Sequence, residues 1–438
     1  MTSWADLGGS DVGVWGVGVE GQASLRRLTQ EGVAVRAVVG AIAGVTDTGH
    51  DVVALDEGGL DRLAQCDVVV KSPGISPYGS AARALESAGV KLVGGLGLWL
   101  AGAPSDRVVC VTGTKGKSTT AAVVAALVRG LGHSCLLGGN IGVAPWDPDV
   151  EPTEWYVVEV SSYQARDVTS GPKVVVVTSL SQDHLDWHGG YEAYVRDKLS
   201  LCLRPRVRTV LVPAGDPELE RRRAALGPHV ETVPDEQADW VEALGLIGEH
   251  NRRNALLAHR ALLELGVPGA DDPAAVHAAA QTYTPLRSRL TPIGEVDGVR
   301  FVDDSLSTNT LPTLAAIRAF EDVPLALLVG GFDRGIDYEP LAHGLASHHG
   351  ELLVLALPEN GPRIAEVIRT VAPRVRVETC TDLVQAVERG HAWARPCGVV
   401  LLSPAAPSFG RFENYAARAD AFEAALHALG PEERRVGG

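Results

Sequence analysis

The chain has 438 residues, 45% of them hydrophobic, and a formal charge of −15. That length allows roughly three domains of ~150 residues, and the acidic balance argues against nonspecific nucleic-acid binding, which needs basic patches to displace counterions. The six cysteines (Cys66, Cys110, Cys135, Cys202, Cys380, Cys397) form no Cys-x-x-Cys pair, residues 1–6 carry no basic or apolar leader pattern, and no apolar run reaches membrane-spanning length, so a cytoplasmic protein with idle thiols is expected.

The first hundred residues read as βα units, with strands over 11–15, 33–39 and 67–70 and a helix over 21–31. Gly16-Val17-Gly18-Val19-Glu20-Gly21 follows the first strand and matches the dinucleotide fingerprint. A nicotinamide reading needs a carboxylate at the end of the second strand, and Val35-Arg36-Ala37-Val38-Val39-Gly40 has none. Another diphosphate at that helix start fits better, because the same amides suit any pyrophosphate. Lys71-Ser72-Pro73-Gly74-Ile75-Ser76-Pro77 ends a neighbouring strand, where α/β sheets bind ligands. A rigid Pro-Gly turn explains it equally well.

A break falls near residues 101–104, and alternation resumes with strands over 108–111, 155–160, 173–178 and 209–212 and helices over 121–131 and 250–265. Gly113-Thr114-Lys115-Gly116-Lys117-Ser118-Thr119 follows the first of these strands. Strand, glycine turn and helix describe a phosphate cradle in which amides hold phosphate oxygens, Lys117 reaches the β/γ-phosphates and Ser118 can ligate Mg²⁺. Only Thr114 and Lys115 separate its glycines, two fewer residues than the general phosphate-loop pattern. Glu159, ending the run Trp155-Tyr156-Val157-Val158, is placed for a Mg²⁺ ligand or is an ordinary strand-end acid. Ser181-Gln182-Asp183-His184-Leu185-Asp186-Trp187-His188-Gly189 packs imidazoles and carboxylates at a strand-to-helix junction, which suits a metal or phosphate site rather than structural zinc. Lys198, in Tyr194-Val195-Arg196-Asp197-Lys198, reads by itself as a solvated helix lysine. Asn251 and Asn254 lie one turn apart at the start of a helix, able to meet an adenine edge or to cap the helix.

Beyond a second break near 284–285, strands are expected over 299–302, 325–329, 352–356 and 398–402, with a closing helix over 416–429. Strands alternating with helices throughout predict an α/β chain of three domains (1–102, 103–286 and 287–438), each a mostly parallel, doubly wound sheet.

Taken in order, the phosphate loop, Glu159-Val160-Ser161-Ser162-Tyr163-Gln164, Asp183-His184-Leu185-Asp186, the helix lysine, His250-Asn251-Arg252-Arg253-Asn254, Asp304-Ser305 and Leu402-Ser403-Pro404-Ala405 resemble the Mur ligases over the whole chain. These are ATP-dependent amide-bond synthetases that build the peptide stem of peptidoglycan, and they use this compressed phosphate loop. The resemblance implies a Rossmann-like first domain holding a UDP group through Gly18, Val19, Glu20 and Gly21 and through Ser72, Pro73 and Gly74. It implies a central ATPase domain in which Gly113 to Thr119 grip ATP, Ser118 and Glu159 hold one Mg²⁺, and His184 holds a second. The family's lysine at the position of Lys198 is carbamylated and supports the metals, so Lys117, His184 and Lys198 are the expected catalytic residues. Asn140 would contact the muramoyl substrate and Asn251 and Asn254 would face adenine. Arg289 and Asp304 of a Rossmann-like third domain would close over the nucleotide.

Two strings depart from the pattern of the D-glutamate-adding members. Asp304-Ser305-Leu306-Ser307-Thr308-Asn309 has Leu306 where those enzymes have lysine, and Gly330-Gly331-Phe332-Asp333-Arg334-Gly335 has Arg334 where they have lysine. A planar fork and a point charge are different carboxylate receptors. Lys71 to Tyr78, Asp186-Trp187-His188-Gly189, Tyr194 to Leu199 and Ser403 to Gly410 are similar to the branch that adds L-glutamate to UDP-N-acetylmuramoyl-L-alanine, with a separate epimerase inverting that residue later. The reaction is therefore expected to be ligation of L-glutamate through an acyl phosphate by a monomer, with D-glutamate as the alternative. Thr308, Arg334, Ser408, Phe409 and Tyr415 are the candidates for the amino-acid pocket. Folylpolyglutamate synthetase lacks such a first domain, and a nicotinamide oxidoreductase leaves the Lys117 loop unexplained. An inactive nucleotide-binding homologue remains the rival from another class, since Leu306 could mark lost activity.

Overall fold

Seventeen strands assort into three sheets in a computed structural model that describes residues 2–41 and 48–430; the first residue, 42–47 and 431–438 lie outside the described residues. The first sheet contains β1 (Val12–Trp15), β2 (Val35–Val39), β3 (Val52–Val53), β4 (Val68–Lys71) and β5 (Lys91–Gly94), ordered β3-β2-β1-β4-β5 and parallel throughout. The second contains β6 (Val108–Thr112), β7 (Cys135–Gly139), β8 (Trp155–Glu159), β9 (Val174–Val177), β10 (Thr209–Pro213) and β11 (Val230–Val233), ordered β11-β10-β9-β6-β8-β7 and again parallel. Near-continuous apolar runs such as Val174-Val175-Val176-Val177, all fully buried, are what a sheet covered by helices on both faces requires. Both sheets fall in one compact unit, Met1–Ala243 with Arg253–Tyr283.

The second unit, Leu244–Arg252 with Thr284–Gly438, holds the third sheet. Its strands are β12 (Thr291–Val296), β13 (Val299–Asp303), β14 (Leu325–Val329), β15 (Leu352–Ala356), β16 (Arg376–Thr379) and β17 (Val399–Leu402), ordered β12-β13-β17-β14-β15-β16. Separate apolar clusters cover the two faces of this sheet, one around Leu327, Leu341 and Ile364 and the other around Leu328, Val387 and Phe422. β12 pairs antiparallel with β13, an edge strand the sequence reading passed over, as it did β3, β5, β7, β11 and β16. The helix after the phosphate loop is Lys117–Gly130, so it begins four residues before the expected 121 and takes Lys117 and Ser118 into its first turn.

In the first sheet, strand order reverses beside β1, and the segments leaving β1 and β4 are the glycine turn and the Ser72 loop. In the second, β6, β8 and β9 are neighbours, and their carboxyl ends carry the phosphate loop, Glu159 and the Thr178–His184 segment. Those are the positions where open α/β sheets place ligands.

Candidate active site

The glycine turn after β1 is tight enough to exclude side chains. A Cβ on Gly21 would lie 1.8 Å from the Gly16 carbonyl oxygen, and one on Gly16 would lie 2.4 Å from Ser72 Oγ. Gly18 to Gly21 and Ser72 to Gly74, expected to share a ligand, are thus packed side by side. Ser72 Oγ is buried with no hydrogen-bond partner among the described residues. Glu20 accepts a hydrogen bond from Gln164 Nε2 (2.7 Å), and burial pushes its carboxyl up to about 7, against the opposing effects of that bond and of Lys71. Lys71 itself is paired with Asp167 (2.5 Å), both groups nearly inaccessible.

The phosphate loop is built on positive backbone angles that only glycine adopts freely, with φ of 135° at Gly113 and 87° at Gly116. Its neighbours press on both: an added Cβ would come within 2.1 Å of Thr178 Oγ1 at Gly113 and 2.5 Å of Asn254 Oδ1 at Gly116. The loop is pinned further by Lys115 N–H donating to Ser179 Oγ (2.9 Å), Lys115 Nζ to Asp183 (3.3 Å) and Thr114 Oγ1 meeting Tyr194 Oη (2.7 Å). Asn254 therefore sits against the cradle itself, and Asn251 donates to the Ile247 carbonyl (2.8 Å).

Two lysine side-chain nitrogens converge on one carbonyl. Lys117 Nζ donates to the oxygens of Gly113 and Thr114 (3.0 Å each), and Lys198 Nζ donates to Gly113 O (2.8 Å). Lys198 is 2% exposed, which overturns its reading as a solvated lysine. Burial first, and the Lys117 charge second, hold its amine well below the ordinary lysine range. On β8, where it pairs with Val111 just ahead of the phosphate loop, Glu159 is 1% exposed; Asn140 Nδ2 donates to its Oε1 (2.6 Å), and its Oε2 has no partner among the described residues. Asn140 thus meets the Glu159 carboxylate. His184 adopts a left-handed backbone (φ 50°) ahead of the short helix Leu185–His188, and its ring lies 4.9 Å from that of Tyr163. Burial lowers its imidazole below the usual range despite the neighbouring Asp183.

The sequence places His188 in a candidate metal or phosphate cluster, but the structure engages it in a buried polar chain instead. His188 Nδ1 lies 2.8 Å from Asp197 and its Nε2 2.9 Å from Ser162 Oγ, while Tyr78 Oη donates to Asp197 (2.7 Å). Burial would raise the Asp197 carboxyl, but the bonds from His188 and Tyr78 outweigh it and hold the group below the carboxylate norm. Ser162, His188 and Asp197 have the connectivity of a nucleophile triad. With Ser162 2% and His188 3% exposed, no substrate reaches the hydroxyl, and the chain is structural in that sense.

In the second unit, Asp304 follows β13 and accepts from Ser403 Oγ (2.8 Å) and from Ser307; burial pushes its carboxyl up to about 7. Arg289 lies between two left-handed residues, Ser288 and Leu290. Arg334 is exposed and its guanidinium stands 5.5 Å from the ring centre of Phe409. Phe409 and Tyr415 are nearly half exposed, Thr308 is partly buried and Ser408 is buried. Arg418, not foreseen, is 1% exposed and donates to the carbonyls of Ser305 (2.7 Å) and Ala406 (3.1 Å), tying together the loops that carry Thr308 and Ser408. It borders a cavity of about 320 Å³ with Gly331, Glu359, Ser408 and Arg411. No helix among the described residues is long and apolar enough to cross a membrane.

Residues 111–243 match the Mur ligase middle domain. The chain is similar to the UDP-N-acetylmuramoyl-L-alanine–L-glutamate ligase of a Micromonospora species, 39% identical over 96% of this chain and 97% of that one. It is 38% identical to the enzyme of the same name from Xanthomonas campestris pv. campestris, over 94% of each. Among solved structures it resembles a UDP-N-acetylmuramate–alanine ligase from Thermotoga maritima (TM-score 0.58, 17% identity, 96% of this chain and 100% of that chain). A second Thermotoga maritima ligase of the same class, solved with ADP, superimposes with a TM-score of 0.55 at 16% identity over 98% of both chains.

Proposed function

Since the chain belongs to the Mur ligases, within the group of UDP-N-acetylmuramoyl-L-alanine–L-glutamate ligases, we propose that it joins L-glutamate to UDP-N-acetylmuramoyl-L-alanine at the expense of ATP. The alanyl carboxylate attacks the γ-phosphorus of ATP and ADP leaves, giving an acyl phosphate. The glutamate amine then attacks the activated carbonyl, and the tetrahedral intermediate expels inorganic phosphate. The observation that carries this reading is the meeting of the Lys117 and Lys198 side-chain nitrogens at Gly113 O of the glycine cradle, with the buried Glu159 carboxylate on the neighbouring strand.

The residues divide the work by charge. Amides of Gly113 to Thr119 and the Lys117 ammonium take up negative charge on the triphosphate, the main obstacle when one anion attacks another. The unpartnered Glu159 Oε2 fits a divalent cation, with Ser118 as a further donor, and His184 would ligate a second cation. When bound, Mg²⁺, two ions in this reading, would supply further charge neutralisation between carboxylate and phosphate. The buried Lys198 amine, held well below the ordinary lysine range, fits carbamylation by CO₂, which would give an anion able to support the metals. The glycine turn and Ser72 to Gly74 would hold the UDP diphosphate, and Asn140 the muramoyl part. Asn251, Asn254, Arg289 and Asp304 would serve the nucleotide. Thr308, Arg334, Ser408, Phe409 and Tyr415 would receive glutamate, Arg334 presenting a fork to one of its carboxylates.

On this reading residues 1–102, 103–286 and 287–438 serve the UDP substrate, ATP and glutamate respectively. The protein acts as a cytoplasmic monomer, and an epimerase inverts its product's glutamyl centre. Phosphate release in parallel with L- and D-glutamate tests the assignment. Release with the L isomer, dependent on the muramyl nucleotide, is expected; a preference for the D isomer overturns the stereochemistry, and silence with both overturns the ligase.

A further inference from the structure

Three stretches similar to the L-glutamate branch, Lys71 to Tyr78, Asp186 to Gly189 and Tyr194 to Leu199, meet in one place through Tyr78, Trp187, His188 and Asp197, residues to which the chemistry above gives no role. Trp187 Nε1 donates to the Gly74 carbonyl (3.1 Å), Ser76 Oγ donates to the Trp187 carbonyl (3.1 Å), and the rings of Tyr78 and Trp187 meet edge to face at 6.0 Å. Tyr78 Oη then reaches the Asp197 carboxylate, which is bonded through His188 to Ser162.

Each node of this chain lies within a few residues of a group assigned to the reaction. Ser162 is three residues beyond Glu159, His188 four beyond His184, Asp197 adjacent to Lys198, and Gly74 is itself in the substrate loop. The Asp197 carboxylate accepts from His188 Nδ1–H, and His188 Nε2 lies within hydrogen-bond distance of the Ser162 hydroxyl. The Asp197 carboxylate, both His188 ring nitrogens and the Tyr78 and Ser162 hydroxyls are each hydrogen-bonded, and a buried polar network satisfied in this way rigidifies and specifies its surroundings.

Building on the ligase reading, we infer that the chain Trp187–Gly74 and Tyr78–Asp197–His188–Ser162 consists of positioning residues that hold the muramyl-substrate loop in register with the groups around the phosphate cradle. Loosening it misplaces the alanyl carboxylate relative to the triphosphate, and near-attack geometry is sensitive at the ångström scale. ATP is bound by other residues and is unaffected.

Two variants of the full-length protein test this. Tyr78→Phe removes one hydroxyl and keeps the ring. Trp187→Phe removes the indole donor to Gly74 and keeps an aromatic face for Tyr163 and His188, whose rings lie 4.4 Å from it. In each, calorimetric affinity for UDP-N-acetylmuramoyl-L-alanine is expected to fall about five- to tenfold, the effect of one lost hydrogen bond. The kcat is expected to fall at least tenfold, with affinity for an unhydrolysable ATP analogue within twofold of wild type. Should one variant fail to fold, the other decides. Unchanged muramyl affinity and kcat in the folded variants overturn the inference, as does a parallel loss of ATP-analogue affinity, which marks general collapse. Wild-type protein that ligates neither glutamate isomer sinks the ligase reading instead, and the binding comparison still decides this one.

Discussion

Glu20→Gln isolates the energetic cost of a carboxyl buried at the glycine turn after β1. Its neighbours are Gln164, whose amide donates to it, and the buried pair Lys71–Asp167, of which the lysine favours the anion and the aspartate opposes it. Burial dominates and lifts the group from 4.5 to about 7. The folded chain therefore keeps a proton that the unfolded chain gives up between those two values. Below 4.5 the group contributes nothing, from 4.5 to 7 stability falls by up to ~1.4 kcal/mol per pH unit, and above 7 the penalty levels off at about 3 kcal/mol. Glutamine retains the carbonyl acceptor for Gln164 and has no proton to lose. Native-state hydrogen exchange of the helix Val19–Gln30, compared between variant and wild type, cancels all other titrations. The variant should match wild type near pH 4.5 and exceed it by about 3 kcal/mol at pH 8. A difference that does not change with pH, or that favours wild type as pH rises, would refute the account of Glu20.

Three further outcomes are expected. Lys117→Ala should lower kcat by roughly a thousandfold, the scale of a lost charge-stabilising donor, while calorimetric affinity for the muramyl nucleotide stays within twofold; simultaneous loss of both would contradict the separation of the two sites. Lys198→Ala should be inactive and partly restored by added short-chain carboxylates, and full activity in the variant would remove the proposed role of a carbamate. Arg334→Lys should raise KM for glutamate about tenfold by exchanging a fork for a point charge, with KM for ATP unchanged, whereas a rise confined to ATP would take Arg334 out of the amino-acid pocket.

Much of this was legible because certain positions admit few residues. Gly113 and Gly116 need left-handed backbone against close neighbours, so the phosphate loop advertises itself, and the Val174–Val177 strand is apolar on both faces because helices cover both. The start of the helix at Lys117 was missed since Ser118-Thr119-Thr120 are poor helix formers, and burial of that turn overrides their propensity. Pro292 and Gly294 concealed β12, which tolerates them as an edge strand. Burial of Lys198 was invisible because a lysine between Asp197 and Leu199 on a helix carries no periodic signal. The Tyr78–Asp197 bond joins residues 119 positions apart, and only the packing of the first two sheets creates it.

The central claim is that phosphate passes through the alanyl carboxylate. With ¹⁸O in both oxygens of that carboxylate, ATP and L-glutamate, the inorganic phosphate released should carry one ¹⁸O atom per turnover, read by mass spectrometry. Phosphate free of label, with amide still formed, would contradict an acyl phosphate and the account built on it.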